Sequence, residues 1–321
     1  MMNRFSVALA VSAVVVLVAA PVAGQVTADG WTVPRTVDGQ PDFQGAWSFA
    51  NITPLERPDE LAGREFLTDE EVAERNEDAA TRASSDRRGE LTRDRDVGLA
   101  YNQFWWDRGT SDGRTSIIVD PANGRVPYTP EGRERAASFG QFRRRPAQGP
   151  EDRGLQERCI QYRPLPRLPT GYNNHYQIVQ TPDHVAILVE MIHAVRIIPL
   201  DGRPRIREDV RLWNGDSRGR WEGDTLIIET TNFSNKTSFR GSGADLHLVE
   251  RFRRVDADTI EYEFTVEDPG VWERPWTGML PFTKTEAQVY EYACHERNYG
   301  MTNLLIGARI EERAADGTQS R

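Results

Sequence analysis

One run of residues, from Thr259 to Glu267, constrains the fold of this chain more than any other. Apolar and polar residues alternate strictly along it, with Ile, Tyr, Phe and Val at the even positions and Thr or Glu at the odd ones. A period of two places the apolar side chains on one face of a β-strand and the polar side chains on the other. Such a strand belongs to an antiparallel sheet that has one buried face and one solvent-exposed face.

Further short apolar runs, separated by turn residues, fill the second half of the chain. Many short strands joined by tight turns favour a barrel or a sandwich, because both architectures leave few strand edges exposed. Near the N-terminus, Gly45-Ala46-Trp47 resembles the Gly-x-Trp sequence that opens lipocalin-type barrels. The predicted fold is therefore mainly β, either an antiparallel barrel of the lipocalin or calycin kind or a sandwich. Besides 259–267, the predicted strands are 175–180, 185–190, 195–199, 225–231, 246–253 and 288–294.

The first half of the chain is irregular and charged, and it is expected to surround the sheet. Within it, Thr68 and Glu71 have the spacing of a helix capping box, which predicts a polar helix that runs through Ala83. The predicted organisation is a signal peptide at 1–24, a partly irregular and helical wrap at 25–155 with a first strand near 43–49, an antiparallel core at 156–312 and a disordered tail at 313–321.

The first 24 residues have the pattern of a cleavable export signal. Arg4 precedes a short apolar stretch at 7–20, and small residues up to Gly24 follow it. The stretch is too short and wrongly flanked for a membrane span, and no other run reaches that length without charges. We therefore expect an exported protein, periplasmic or secreted after cleavage near Gly24, without stable membrane insertion.

Net charge and missing motifs narrow the range of functions. The chain has 49 Asp and Glu residues against 40 Lys and Arg residues, which argues against a nucleic-acid partner because phosphate binding requires a basic face. Neither a phosphate-binding loop, a His-Glu-x-x-His motif nor a dinucleotide fingerprint occurs in the sequence. Nucleotide cofactors and zincin chemistry are thus not expected. A divalent metal stays open as a cofactor, and the oligomeric state is not indicated.

The chain has two cysteines, Cys159 and Cys294. In an oxidising compartment an even pair predicts one disulfide. The alternative is a nucleophilic or metal-ligating thiolate at Cys294, which directly precedes His295. Neighbours on a strand point to opposite faces, so this adjacency is weak evidence for a catalytic pair.

Three ionisable residues interrupt the apolar stretch from 185 to 200: Glu190, His193 and Arg196. A charge in such a segment must be paired or hydrogen-bonded, since an isolated buried charge is too costly. If a turn falls at Met191-Ile192, Glu190 and His193 can converge at the end of a hairpin. Glu190 is then a candidate general base or metal ligand, and Arg196 a clamp for an anionic substrate. The alternative is a structural ion pair between Glu190 and Arg196.

Glu250 is the second unusual residue, because it shares a predicted strand face with Leu248 and Phe252. A carboxyl group among apolar neighbours suits a general acid. The alternative is a structural pair with an inward-facing arginine such as Arg196.

Histidines lie in or beside four predicted strands, at positions 175, 193, 247 and 295. Imidazoles that converge inside a barrel from separate strands could hold a divalent metal, and the candidate ligands are His193, His247 and His295. The alternative is that each is a hydrogen-bonded core or rim residue. The candidate catalytic set is Glu190, His193, Glu250 and His295.

Aromatic and charged residues are candidates for a substrate-binding rim. Trp213 and Trp221 flank a polar segment that contains Asp216 and Arg218. This pattern suits a ligand at a barrel mouth, or a plain hairpin with packed ends. Tyr299 could extend the rim, and Trp105 could cover the pocket from the N-terminal half.

Several longer phrases occur in order between about Pro41 and Arg309. They include Gly219-Arg220-Trp221-Glu222-Gly223-Asp224-Thr225-Leu226, Leu246-His247-Leu248-Val249-Glu250-Arg251-Phe252, Arg274-Pro275-Trp276 and Glu291-Tyr292-Ala293-Cys294. Together they resemble the signature phrases of a widespread family of exported bacterial proteins with no characterised activity. The resemblance implies a shared fold and export.

The sequence thus favours an exported enzyme that carries out hydrolysis, elimination or isomerisation of a small molecule in an acid–base or metal-assisted Glu/His pocket inside a β-barrel. One alternative is a non-catalytic, lipocalin-like protein that binds a small ligand. The other is a structural or interaction protein of the cell envelope, in which the buried charges only specify the fold.

Overall fold

The computed structural model describes residues 31–83, 106–141, 146–296 and 298–319, so the predicted signal peptide and Trp105 lie outside the described residues. The described strands are β1 (Gly45–Ser48), β2 (Ile118–Asp120), β3 (His175–Gln180), β4 (His184–Val189), β5 (Val195–Pro199), β6 (Asp216–Glu222), β7 (Thr225–Thr231), β8 (His247–Arg254), β9 (Thr259–Glu267) and β10 (Trp276–Thr285). The α-helices are α1 (Asp69–Ala83), α2 (Pro130–Gln141) and α3 (Tyr299–Gln319), and short 3-10 helices occupy Asp59–Leu61, Pro150–Asp152 and Met191–His193.

All ten strands belong to one antiparallel sheet, which confirms the predicted mainly β class. The order of nine of them is β5-β4-β3-β1-β10-β9-β8-β7-β6, and β2 pairs with β10 beside that path. Strand β1 lies between β3 and β10. The N-terminal half therefore supplies a central strand of the sheet as well as its surroundings.

The sheet curls strongly around its buried face. Arg196 on β5 and Glu250 on β8 lie six places apart in the strand order, a separation of about 29 Å in a flat sheet at ~4.8 Å per strand. Their side chains nevertheless meet, with Nη2 of Arg196 2.6 Å from Oε2 of Glu250. An ion pair across that number of strands requires the two ends of the sheet to turn toward each other.

The curl brings the edge strands β5 and β6 into side-chain contact without pairing them. Nη2 of Arg196 donates a hydrogen bond to Oγ of Ser217 at 3.2 Å. Gly219 permits the close approach, since a Cβ there would lie 2.9 Å from Cγ2 of Ile198. The strand pairings of the described sheet do not join β5 to β6. The predicted closed barrel is therefore wrong as a hydrogen-bonded structure, and the sheet remains open along this seam.

Aromatic side chains fill the concave face of the sheet. The rings of Tyr262 and Phe282 stack at 4.8 Å between centroids, and Phe252 lies 4.8 Å from Tyr262. From the other side of β1, Tyr176 meets Phe282 edge-on at 5.5 Å. These rings are buried almost completely. The interior that the sequence suggested as a ligand cavity is thus occupied here by packed side chains.

Helix α1 begins as the sequence predicts. The backbone N–H of Thr68 donates to the Glu71 carboxylate at 2.8 Å, and the N–H of Glu71 donates to Oγ1 of Thr68 at 3.3 Å. These reciprocal bonds satisfy two backbone donors that the first turn of a helix leaves unpaired.

The C-terminal part differs most from the prediction. Residues 288–294 are irregular, and the strand that completes the sheet is β10, upstream of them. Gly278 and Pro281 interrupt the alternating pattern of β10 and conceal it. Strand β6 is also missing from the predicted strands, because its sequence is mostly polar. Helix α3 continues to Gln319, across the range where we predicted a disordered tail.

The predicted disulfide is confirmed. Cys159 and Cys294 are bonded, with their Cα atoms 5.6 Å apart and 135 positions apart in the chain. The bond ties the segment around residue 159 to the irregular stretch that precedes α3, and it excludes the alternative of a free thiolate at Cys294. Among the described residues, the helices are too short or too polar to cross a membrane.

Candidate functional site

A histidine–glutamate pair lies at one end of the β3–β4 hairpin. His175 is the first residue of β3, and Glu190 directly follows β4; the register that pairs Tyr176 with Val189 places the two opposite each other. The backbone N–H of Glu190 donates to the carbonyl oxygen of His175 at 3.0 Å. The side chains meet as well, with Nδ1 of His175 2.7 Å from Oε2 of Glu190. The hairpin itself therefore fixes the geometry of this pair.

The environments of the two groups differ in a way that suits proton transfer. The Glu190 side chain is only 4% exposed, whereas the imidazole of His175 is 16% exposed. The other carboxylate oxygen of Glu190 accepts the backbone N–H of Tyr290 at 3.4 Å. Glu190 is thus held from two sides, and the imidazole that it orients remains partly accessible to solvent.

A second carboxylate faces the other nitrogen of the imidazole. Oδ2 of Asp107 lies 3.9 Å from Nε2 of His175, which is too far for a direct hydrogen bond. The backbone of Asp107 is anchored, since its N–H donates to Gly171 at 2.8 Å and its carbonyl accepts from the Asn174 amide at 2.6 Å. Within the described part of the chain, Oδ2 of Asp107 is buried without a hydrogen-bond partner. Both Nε2 and Oδ2 therefore keep hydrogen-bonding capacity for a third group.

The two carboxylates determine the electrostatics of His175. The hydrogen bond to Glu190 raises the pKa of His175 above its ordinary value of 6.5; burial opposes the shift, and the charges of Glu190 and Asp107 add to it. When the imidazole is neutral, Glu190 accepts a hydrogen bond from Nδ1–H, and Nε2 is left as the proton acceptor. This arrangement of a buried carboxylate behind an imidazole is the one that orients a general base.

A cleft of about 460 Å³ lies beside the segments that anchor Asp107, and its lining does not include His175, Glu190 or Asp107 itself. Its walls include Gly171, whose carbonyl accepts the backbone N–H of Asp107, and Arg108, which follows Asp107 in the chain. Arg75 and Arg82 of α1 also line the cleft. Three guanidinium groups around one opening favour an anionic or strongly polar occupant.

The connection between β4 and β5 is a tight turn at Met191–His193, so the turn on which the convergence of Glu190 and His193 depended is present. Ile192 has a φ of +58° and His193 a φ of +37°, a left-handed conformation that is rare for residues other than glycine. Nδ1 of His193 donates to the carbonyl oxygen of Tyr292 at 3.0 Å, and the ring is exposed. Glu190 pairs with His175 rather than with His193. The turn residues instead hold the C-terminal stretch at residues 290–292.

Arg196 and Glu250 form a separate buried cluster, so the alternative pair of Glu190 with Arg196 is wrong. Arg196 donates to both oxygens of Glu250, at 2.6 and 3.1 Å, and Tyr262 donates its hydroxyl to Oε1 at 2.9 Å. Burial, together with the Glu250 charge, raises the pKa of Tyr262 well above its ordinary value. Arg167 lies close by, and burial lowers its pKa. The structural alternative for Glu250 is thus the one the geometry favours.

The predicted metal ligands are not brought together. His247 pairs with Glu229 at 2.8 Å on the solvent-facing side of the sheet, and His295 lies exposed in the stretch before α3. Among the residues that the structure describes, His, Cys, Asp and Glu side chains do not gather in groups of three or more that could hold a metal ion. His193, His247 and His295 therefore do not form the predicted ligand set.

The predicted rim residues are dispersed over other parts of the molecule. Arg218 forms an ion pair with Asp216 and donates to the carbonyl of Pro204 at 2.8 Å, which fastens the loop before β6 to that strand. Trp213 is half-buried in the same loop, and Tyr299 is exposed at the start of α3. Asp216 and Arg218 therefore have structural partners. The segment between Trp213 and Trp221 is mostly strand β6, so the predicted hairpin with the two tryptophans at its ends is wrong.

Two residues of the site were not among the candidates from the sequence: His175 and Asp107. A signal for His175 existed, because a hairpin centred on the turn after Gln180 places residue 175 opposite residue 190. Asp107 lies in an irregular segment, where spacing carries no information about contacts, and the sequence offered no signal for it.

When the chain is compared with known proteins, no protein-family model and no curated protein matches it.

Proposed function

We propose that this chain is an exported enzyme that uses His175 for general acid–base chemistry on a small organic molecule. The observation that carries the proposal is the pair formed by a partly accessible imidazole and a buried carboxylate, 2.7 Å apart at the end of a rigid hairpin. Hydrolysis, elimination and isomerisation all require such a group. Glu190 is a positioning residue in this proposal, because it acts through His175.

The polar atoms that face His175 support a functional role for the pair. Here Nε2 of His175 and Oδ2 of Asp107 face each other at 3.9 Å, and Oδ2 of Asp107 is buried without a hydrogen-bond partner among the described residues. Leaving a buried acceptor unpaired costs about 1–3 kcal/mol. A substrate hydroxyl or a water that bridges the two atoms would recover that free energy.

The chemistry follows from the two protonation states of His175. Neutral Nε2 accepts a proton from a water or from an acidic position of the substrate, and the new imidazolium is stabilised by the Glu190 carboxylate. The imidazolium then returns the proton to the leaving group or to another atom of the substrate. Asp107 adds a second negative charge next to the protonated ring. The catalyst regains its starting state after each turnover.

The substrate class is indicated by the arginine-lined cleft beside Gly171, the residue that accepts the backbone N–H of Asp107. Arg75, Arg82 and Arg108 line it, which supports an anionic group on the substrate. A guanidinium binds a carboxylate or phosphate through two parallel hydrogen bonds, so it orients the substrate as well as attracting it.

A model ester, 4-nitrophenyl acetate, tests the proposal because its hydrolysis needs only a suitably placed base or nucleophile. We expect H175Q to lower the rate by about 100-fold or more and E190Q by about ten-fold or more, the range typical of general-base catalysis. The matched control is H247Q, which removes the imidazole of another His–Glu pair at 2.8 Å. Wild-type rates in H175Q, or equal losses in H247Q, would contradict the proposed role of His175.

Export and fold relationship are part of the same proposal. We infer export from the N-terminal segment around Arg4 and 7–20, and the disulfide between Cys159 and Cys294 is consistent with an oxidising compartment.

The curled sheet and the Gly45-Ala46-Trp47 sequence on β1 support a distant relation to lipocalin-type barrels. The phrases shared with the family of exported bacterial proteins support membership of that family.

A further inference from the structure

A second cavity shares no lining residue with the arginine-lined cleft or with the pair of His175 and Glu190. Its volume is about 400 Å³, and its walls come from the segment around 151–164 and from the loop at 236–238. We refer to it as the Lys236 pocket. Small-molecule sites commonly have volumes of about 300–1,000 Å³, so this cavity is large enough for a ligand of one or two rings.

The floor of the Lys236 pocket is apolar. Leu155, Tyr162 and Pro164 contribute to its lining, and each is half-buried. The guanidinium of Arg163 lies 5.2 Å from the centroid of the Tyr162 ring. A flat or aliphatic body placed on this floor would therefore replace water over apolar surface, with a cation at its edge.

Positive charge predominates around that apolar floor. Arg153, Arg158, Arg163 and Lys236 line the pocket, against the single carboxylate of Glu151. Glu151 forms an ion pair with Arg158 at 3.6 Å, so the Glu151 carboxylate already has a cationic partner. Within the described ranges, the ammonium group of Lys236 has no ion-pair partner. The pocket consequently carries cations in excess, and an anionic ligand would complement them.

The walls of the pocket are held in place without a ligand. The disulfide of Cys159 anchors the segment that carries Leu155 and Tyr162. On the opposite wall, Thr237 is buried and donates its hydroxyl to the carbonyl of Ser234 at 2.7 Å. A preformed site loses less conformational entropy on binding, which favours a small ligand.

We propose that the Lys236 pocket binds a small amphipathic anion, an apolar body of one or two rings that carries one carboxylate or sulfonate group. The body packs on Leu155, Tyr162 and Pro164, and the anionic group pairs with Lys236 and Arg163. This site is independent of the acid–base proposal, because it shares no residue with the His175 pair or the arginine-lined cleft.

The test uses two fluorescent probes that differ only in charge. 8-Anilinonaphthalene-1-sulfonate carries the anionic group, and N-phenyl-1-naphthylamine is the neutral analogue without it. The chain contains two lysines, Lys236 and Lys284, and Lys284 is exposed outside the pocket. K236E and the milder K236Q are therefore the test variants, and K284E is the matched control with the same change of charge.

We expect the wild-type protein to bind the sulfonate at least ten-fold more tightly than the neutral analogue. K236E should weaken sulfonate binding ten-fold or more, K236Q by a smaller factor, and K284E should leave it unchanged. Thermal unfolding and near-ultraviolet circular dichroism confirm that each variant is folded, which excludes probe binding to a loosened core. Equal affinity for both probes, or equal effects of K236E and K284E, would overturn the proposal.

Discussion

The buried pair of Arg196 and Glu250 yields the sharpest prediction about stability. Glu250 is 1% exposed and accepts two hydrogen bonds from Arg196 and one from Tyr262. Glu250→Leu removes all three bonds and leaves the Arg196 charge without its carboxylate. Arg167 lies in the same buried cluster, so two guanidinium groups would then face each other without a counter-charge.

The expected loss of unfolding free energy follows from the number of buried groups that Glu250→Leu leaves unpaired. Removing one partner of a buried ion pair costs about 3–5 kcal/mol, because the remaining charge stays buried and uncompensated. The lost acceptor of Tyr262 adds to this cost, so we expect Glu250→Leu to lower the free energy of unfolding by about 5 kcal/mol. Arg196→Met should cost less, about 3 kcal/mol, because Glu250 keeps Tyr262 and remains close to Arg167.

Denaturant unfolding of the two single variants and the double variant measures how much unfolding free energy each substitution costs. The double variant should be no less stable than Glu250→Leu alone, since the second substitution removes one of the two unpaired charges. A double-mutant cycle should therefore give a coupling free energy of about 3 kcal/mol or more between Arg196 and Glu250, because the double variant loses no more stability than Glu250→Leu alone. A cost below about 1 kcal/mol for Glu250→Leu, or a larger cost for Arg196→Met than for Glu250→Leu, would refute the reasoning.

Three further predictions concern stability. The raised pKa of His175 means that the folded state holds the proton more tightly than the unfolded state, so its contribution is fully present below the ordinary imidazole pKa of about 6.5 and is lost as the pH rises through the raised value. Relative to H175Q, the wild type should thus lose unfolding free energy in urea titrations as the pH rises above about 6.5, and parallel curves would contradict this. Replacing Cys159 and Cys294 together by Ser should cost about 5 kcal/mol in the chain-entropy model, because the closed loop spans 135 positions, and an unchanged midpoint of unfolding would count against it. Gly132→Ala in α2 would force a methyl group against the Val271 carbonyl and should destabilise by about 1–3 kcal/mol, whereas Gly307→Ala in α3, with open space around it, should be neutral or stabilising by up to about 1 kcal/mol; calorimetric melting that ranks them in the opposite order would contradict the packing.

The sequence predicted the strands whose pattern is regular and missed those whose pattern is interrupted. Thr259 to Glu267 alternates without exception and is β9. In β10 the inward positions include Gly278, and Pro281 breaks the apolar run, so local pattern alone did not show a strand. The prediction that the sheet closes into a barrel failed, because the number of strands does not determine whether the two edge strands form hydrogen bonds to each other.

Prediction of the site depended on which contacts are local. Glu190 was singled out because a carboxylate in an apolar run needs a partner, and the pair of Glu250 with Arg196 was among the alternatives. Both expected partners of Glu190 are wrong: His193 contacts Tyr292, and Arg196, the alternative, lies on β5 and reaches Glu250 only because the whole sheet curls. Such curvature arises from long-range packing, so the sequence of one segment cannot reveal it. The contact with Asp107 depends on the same tertiary arrangement.

The central claim is that His175 exchanges protons with a substrate while Glu190 sets its affinity for the proton. The most direct measurement is the pH dependence of 4-nitrophenyl acetate hydrolysis, set beside the pKa of His175 from NMR titration of the imidazole, in the wild type and in E190Q. We predict that the inflection of the rate coincides with a His175 pKa above its ordinary value, and that both move to lower pH in E190Q. A rate without that inflection, or an inflection that stays in place while the His175 pKa moves, would contradict the account.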